Sequence, residues 1–252
     1  MLPRFFFRFL QRIRRTQLAF LIRWHLFNGK RIVHFIHIGK TGGTAVKHVF
    51  GSKISFHKHC VLIAQNHRFR LFHSEPGEKF CFVVRDPIDR FVSGFYSRMR
   101  QGRPANNNPW RPEEARAFSI FQTPNELGLA LSSEDQHLRS QAVEAMRAIG
   151  HVKSSYWDWF KDLEFWNSRR DDLVLVLRQE NLQEDFELLK KKLKIDLPSL
   201  PPKHQLAAHA TPVQYDKQLS SGAVKNLKQW YQAEYDFLKM LIDQDLLPTT
   251  SY

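Results

Sequence analysis

The sequence predicts a three-layer α/β/α domain built on a central parallel sheet. Two observations carry this expectation: short, near-continuous apolar runs at 32–38, 80–84 and 173–177, and helix-period segments that fill the gaps between them. Strands buried on both faces read as unbroken apolar runs, and their alternation with helices is the pattern of a layered α/β fold. No low-complexity linker divides the 252 residues, and a chain that is 42% hydrophobic is able to bury one core.

From Met1 to Phe27 the chain sets Arg4, Arg8, Arg12 and Arg15 at helical spacing against Phe5, Phe6, Phe7, Phe9, Leu10, Phe20, Leu21 and Trp24. This pattern predicts a basic amphipathic helix on a membrane surface, with residues 1–29 forming that segment and 30–252 the α/β domain. The longest uncharged stretch there, 16–22, is far short of the roughly 20 residues a spanning helix needs. The first strand is expected from Ile32 to Ile38, the second from Phe80 to Val84 and the third from Leu173 to Leu177. Ser133 with Gln136, and Asn181 with Glu184, predict capping boxes that open helices. A last helix is expected over 221–247, and Gly102 to Pro112 reads as an irregular loop beside a site.

The net charge of +13 belongs to one end of the chain. Residues 1–74 hold fourteen Lys and Arg and no Asp or Glu, whereas 75–252 hold 24 basic against 25 acidic residues. The basic end therefore faces an anion. Cys60 and Cys81 stand in apolar surroundings without metal-ligand or disulfide spacing, so they are expected to be buried thiols, and no metal site is expected.

Two segments carry the chemistry. At 37–44 the sequence reads His-Ile-Gly-Lys-Thr-Gly-Gly-Thr, and at 84–93 Val-Arg-Asp-Pro-Ile-Asp-Arg-Phe-Val-Ser; each follows an apolar run and opens a helix. The first N–H groups of a helix have no intrahelical partner and point at whatever anion sits there, so each segment builds an anion cradle. In the first, Lys40 stands beside Thr41, Gly42 and Gly43, which let the backbone turn tightly before a helix that starts at Thr44 and Ala45. The nucleotide-binding pattern GxxxxGK[ST] requires a glycine where His34 stands, which disfavours an ordinary ATP or GTP site.

The stretch Ile38-Gly39-Lys40-Thr41-Gly42-Gly43-Thr44 resembles the 5′-phosphosulfate loop of sulfotransferases that use 3′-phosphoadenosine 5′-phosphosulfate. The stretch from Phe82 to Ser93 resembles that family's 3′-phosphate segment, with Arg85 and Ser93 at the family's spacing. Gly39 replaces the family's frequent proline. Similarity is looser over Arg178, Glu180, Leu182, Asp185 and Phe186. The resemblance implies a P-loop-like sulfotransferase fold and a donor held by Gly39, Lys40, Thr41, Gly42, Gly43, Thr44, Ala45, Arg85 and Ser93. It implies in-line transfer of a sulfuryl group to a hydroxyl of a carbohydrate or glycolipid acceptor, with Lys40 stabilising charge on the leaving phosphate.

The acceptor needs a base, and no carboxylate precedes Glu75. His57 and His59 form a His-x-His element similar to one in uronyl 2-O-sulfotransferases; His59 is the first candidate base, His57 the second, with His67 and His73 behind them. Arg90, Arg98 and Arg100 either line an acidic acceptor or form a solvated face, and Trp157, Trp159, Phe160, Phe165 and Trp166 are expected in the core. The alternative function is a nucleotide-dependent kinase. Nucleic acid is not an expected partner, because no recognition motif accompanies the basic charge. The expected location is cytoplasmic, peripheral at the inner membrane face.

Overall fold

The computed structural model describes residues 20–51, 53–104, 106–201 and 215–249. Residues 20–27 are helical (α1) and lead into strand β1, Arg31–Ile36. There follow α2 (Gly43–Phe50), β2 (Ile54–Phe56), β3 (Cys60–Ala64) and β4 (Lys79–Val84). The chain continues through α3 (Pro87–Met99), α4 (Pro112–Ile120), α5 (Pro124–Ala130), α6 (Gln136–Ala148), α7 (Trp157–Phe160) and α8 (Leu163–Arg169). It closes with β5 (Leu173–Arg178), α9 (Leu182–Leu193), α10 (Ser221–Trp230) and α11 (Gln232–Asp243).

The strands form one five-stranded sheet in the order β2-β3-β1-β4-β5. All neighbours are parallel except β2, which runs antiparallel to β3. The architecture is the layered α/β fold the sequence predicts, because successive side chains of one strand feed opposite faces. From β4, Cys81 and Val83 pack with Phe50 of α2 and Phe186 and Leu189 of α9. Phe80, Phe82 and Val84 pack on the other face with Tyr156, Trp159, Phe160, Trp166 and Phe237. The aromatic cluster is therefore core, and both cysteines are buried. A third cluster joins α3 to α4, α5, α6 and α10 around Phe91, Phe95, Phe118 and Met146.

Several expectations are corrected. The sheet adds a β2–β3 hairpin to the three expected strands: Ile54 and Ser55 are only half buried, so β2 carries a weak apolar signal. Helix α6 is capped by Asp135, whose carboxylate accepts from the N–H groups of His137 and Leu138, and not by Ser133. Asn181 occupies the cap position of α9 without a side-chain bond. Asp185 instead grips Arg178, accepting from its Nη2 at 2.6 Å and its backbone N–H at 2.7 Å. The last helix is two helices, broken at Tyr231, whose hydroxyl donates to the Val152 carbonyl. Of the N-terminal segment, residues 1–19 lie outside the described residues.

Candidate active site

A cavity of about 710 Å³ opens over the C-terminal ends of the parallel strands. That volume lies within the range of small-ligand sites, and this edge of an α/β sheet is where such sites form. Lys40, Gly42, Gly43, Thr44 and Ala45 line it together with Arg85 and Ser93. The loop after β1 and the start of α3 thus meet in one place, although they are distant in sequence. Arg85 joins them directly, its Nη1 donating to the Lys40 carbonyl at 3.3 Å.

Each group is held by its element. Gly42 has φ +89°, a left-handed conformation that glycine adopts without strain, and it caps α2 with no side chain on the first turn. A methyl group on Gly43 would fall 2.7 Å from Cδ2 of His37, so the close approach of loop to imidazole requires glycine. Gly39 and Thr41 sit behind the lining and shape it. The Gly39 carbonyl accepts from Arg90 Nε at 3.2 Å, and the buried Thr41 hydroxyl donates to the Ile38 carbonyl at 3.0 Å. Arg85 is braced by Tyr156, whose hydroxyl donates to its carbonyl at 2.7 Å and accepts from its N–H at 3.0 Å. Asp86 caps α3 by accepting from Ile88 and Asp89 N–H groups and accepts from the Tyr235 hydroxyl at 3.0 Å.

The electrostatics favour an anion. Burial, then Arg100 and Arg85, lower the Lys40 ammonium to about 8. Buried Arg85 Nε has no hydrogen-bond partner, and the nearest carboxylate, exposed Asp89, stands 4.0 Å from Nη2. A buried donor without a partner is a costly arrangement that a bound anion would relieve. Asp89 is the one carboxylate among the described residues lining the cavity.

Among the described residues three histidines line the cavity: His37, His67 and His151. Burial, then the neighbouring His67, Lys47 and His151, push His37 down to about 3. Burial, then Lys40, His67 and two arginines, push His151 to about 3 as well. His67 packs on His37 with ring centroids 3.9 Å apart, and its Nδ1 lies 3.2 Å from the His37 carbonyl. A carbonyl only accepts, so Nδ1 carries the proton and Nε2 keeps its lone pair. Burial first, and then Lys47, Lys40 and Arg70, hold His67 below its usual value against the raising effect of that bond.

The structure does not bring His57 and His59 to this cavity. They lie in the β2–β3 turn, where the His59 carbonyl accepts from the N–H of Arg31 at the opposite end of β1. Six residues of strand separate that point from the loop that begins at His37, or about 20 Å. His73 is exposed, its Nδ1 accepting from the Arg70 N–H at 3.0 Å. Arg90 is neither on a solvated face nor in the cavity: it is buried against Tyr156 and bonded to Gly39, Ser154 and Glu234. Arg98 touches the cavity, but its guanidinium is taken up by Glu114, at 2.6 and 2.7 Å. Arg100 does line the cavity, with Gly102, Arg103, Asn106 and Asn108 of the irregular loop. His151 was invisible to sequence reasoning because it follows α6 with no local motif. His67 carried a weak signal: like the first cradle, it follows the end of a strand.

A cleft with paired cationic cradles over a parallel sheet defines an α/β protein built to grip an anionic ligand. The chain belongs to the sulfotransferase family, whose family model matches residues 25–239 and so takes in both cradles, the three histidines and most of α11. It is accordingly a transferase of sulfuryl groups. No individually curated protein matches the chain.

Proposed function

We propose that the cleft binds 3′-phosphoadenosine 5′-phosphosulfate and passes its sulfuryl group to a hydroxyl of a carbohydrate or glycolipid acceptor. The observation that carries this reading is the convergence of Lys40 and the α2 N-terminus with Arg85 and Ser93 in one cavity. The donor has two anionic ends. Its 5′-phosphosulfate suits Lys40 and the backbone from Gly42 to Ala45, and its 3′-phosphate suits Arg85 and Ser93. Asn106, Asn108, Arg100, Arg103 and Lys217 line the remainder of the cavity and offer amide and cationic donors suited to an acidic carbohydrate.

In the reaction a base takes the proton from the acceptor hydroxyl, the oxygen attacks sulfur, and the bond from sulfur to the bridging phosphate oxygen breaks. Lys40 stabilises the charge that grows on that leaving oxygen, releasing adenosine 3′,5′-bisphosphate. His67 is the base in this reading, because its tautomer leaves Nε2 with a lone pair and it shares the cavity with Lys40. His57 and His59 are not, since they stand at the other end of β1. The test is sulfate transfer from the labelled donor to a panel of glycans. His67→Ala is expected to lower kcat by about 10²–10⁴-fold and His59→Ala to leave it unchanged. Full turnover by His67→Ala would overturn the assignment of the base, and no transfer to any glycan by the wild type would overturn the acceptor class.

A further inference from the structure

We propose that the end of the molecule opposite the cleft docks onto an anionic phospholipid bilayer through α1 and the β2–β3 turn together. Helix α1 leaves Phe20 68%, Trp24 52% and Phe27 91% exposed, with Leu21 and Leu26 beside them and Phe56 of β2 at 38%. Single exposed apolar side chains are ordinary, but a contiguous aromatic and aliphatic face on one short helix marks an interaction surface. The face is held in place on the domain. His25 of α1 packs on Phe56 with ring centroids 4.6 Å apart and the rings tilted by 35°, and Lys30 Nζ donates to the His57 carbonyl at 2.8 Å.

The charge around this face names the partner. Arg23, Arg31 and Lys58 are exposed there, and no Asp or Glu occurs anywhere before Glu75. Two carboxylates at the starts of β4 and β5 are engaged: Glu78 accepts from His34, and Asp172 accepts from Lys79 and Arg169. Cations around inserted aromatic rings match a leaflet with negative headgroups over an acyl layer. A duplex nucleic acid would use the cations and leave the aromatic face wet, and a second copy of this chain would bring the same positive charge to the contact. His57 and His59, which the reaction does not use, belong to this surface by position.

The test is sedimentation of the full chain with phosphatidylcholine vesicles, with and without phosphatidylserine. The expected result is pelleting on the serine-containing vesicles alone, weakened by added salt and lowered at least about tenfold in Trp24→Ser/Phe27→Ser. Lys58→Glu is expected to weaken it less. Both variants are expected to melt with the wild type, since the substituted side chains are exposed. No pelleting, equal pelleting on neutral vesicles, or wild-type pelleting by the double variant at an unchanged melting temperature would overturn the proposal. So would binding of duplex DNA, or dimerisation lost in the double variant, without vesicle binding.

Discussion

In the proposed reaction Lys40, Arg85 and His67 divide the work in the cleft, and Lys40 and His67 each leave a titration signature. Lys40 lowered to about 8 loses its proton in the free protein as pH rises past that value, so affinity for an anionic donor falls there. His67, held below its usual 6.5, stays a base down to a lower pH. The kcat/KM profile, which reports the free enzyme, is thus expected to be bell-shaped, with an acid limb below about pH 6.5 and an alkaline limb near pH 8. Lys40→Arg is expected to shift the alkaline limb upward by more than about one unit, because a guanidinium does not deprotonate in this range. An unmoved limb would assign it to another group. Lys40 and Arg85 were legible in the sequence because a cradle's order, apolar run then glycine or Asp-Pro then helix, is local. Of the histidines facing them, His67 was legible only as a lower-ranked candidate and His151 was not, because both reach the site through the packing of β3 and α6 around the sheet's end. The His-x-His element was singled out by its resemblance alone, and its position at the start of β3 removes it from the site.

Among the elements, α3 positions the most, and two of its contacts are open to test. Its Arg98 is clasped by Glu114 of α4. Burial alone would raise that carboxyl, but Arg98 and the N–H groups of Gly150 and Arg111 hold it down to about 2. The folded value lies below the unfolded one, so this contribution is present above about pH 4.5 and is lost as pH falls through about 2. Glu114→Gln leaves Arg98 buried with half its partner. It is expected to cost about 3–5 kcal/mol, read as a fall in Tm of more than about 6 °C at pH 7 and less at pH 3. In the loop before α2, Gly43→Ala is expected to displace His37 and weaken binding of the donor product by at least about tenfold, with little change in Tm. Wild-type affinity in that variant would show that the loop tolerates a Cβ. The apolar runs of β1, β4 and β5 were readable as strands, whereas β3, equally apolar and buried on both faces, was not, because its run is short and sits in a histidine-rich stretch. The half-buried β2, the Asp135 cap and the break at Tyr231 were not readable either, because each is decided by a tertiary partner.

The molecule as a whole is polarised from end to end along the sheet. Both cradles gather at the C-terminal ends of the strands, and the aromatic helix α1 with the β2–β3 turn lies at the other end of β1, about 20 Å away. A bilayer at that end would leave the cleft open to solvent. Among the described residues no helix is long and apolar enough to cross a membrane. The charge imbalance along the chain was plain in the sequence, while the assignment of its cations to two separate ends required the fold. Lys40 lines the cleft, and Arg23, Arg31 and Lys58 lie exposed at the far end. The claim that joins these observations is that the two cradles hold the two phosphates of one nucleotide. Calorimetric titration with adenosine 3′,5′-bisphosphate, beside adenosine 5′-monophosphate, tests it most directly. The wild type is expected to bind the bisphosphate at least about tenfold more tightly than the monophosphate, and Arg85→Ala is expected to erase that difference while still binding the monophosphate. No binding of the bisphosphate by the wild type, or the same preference in Arg85→Ala, would contradict it.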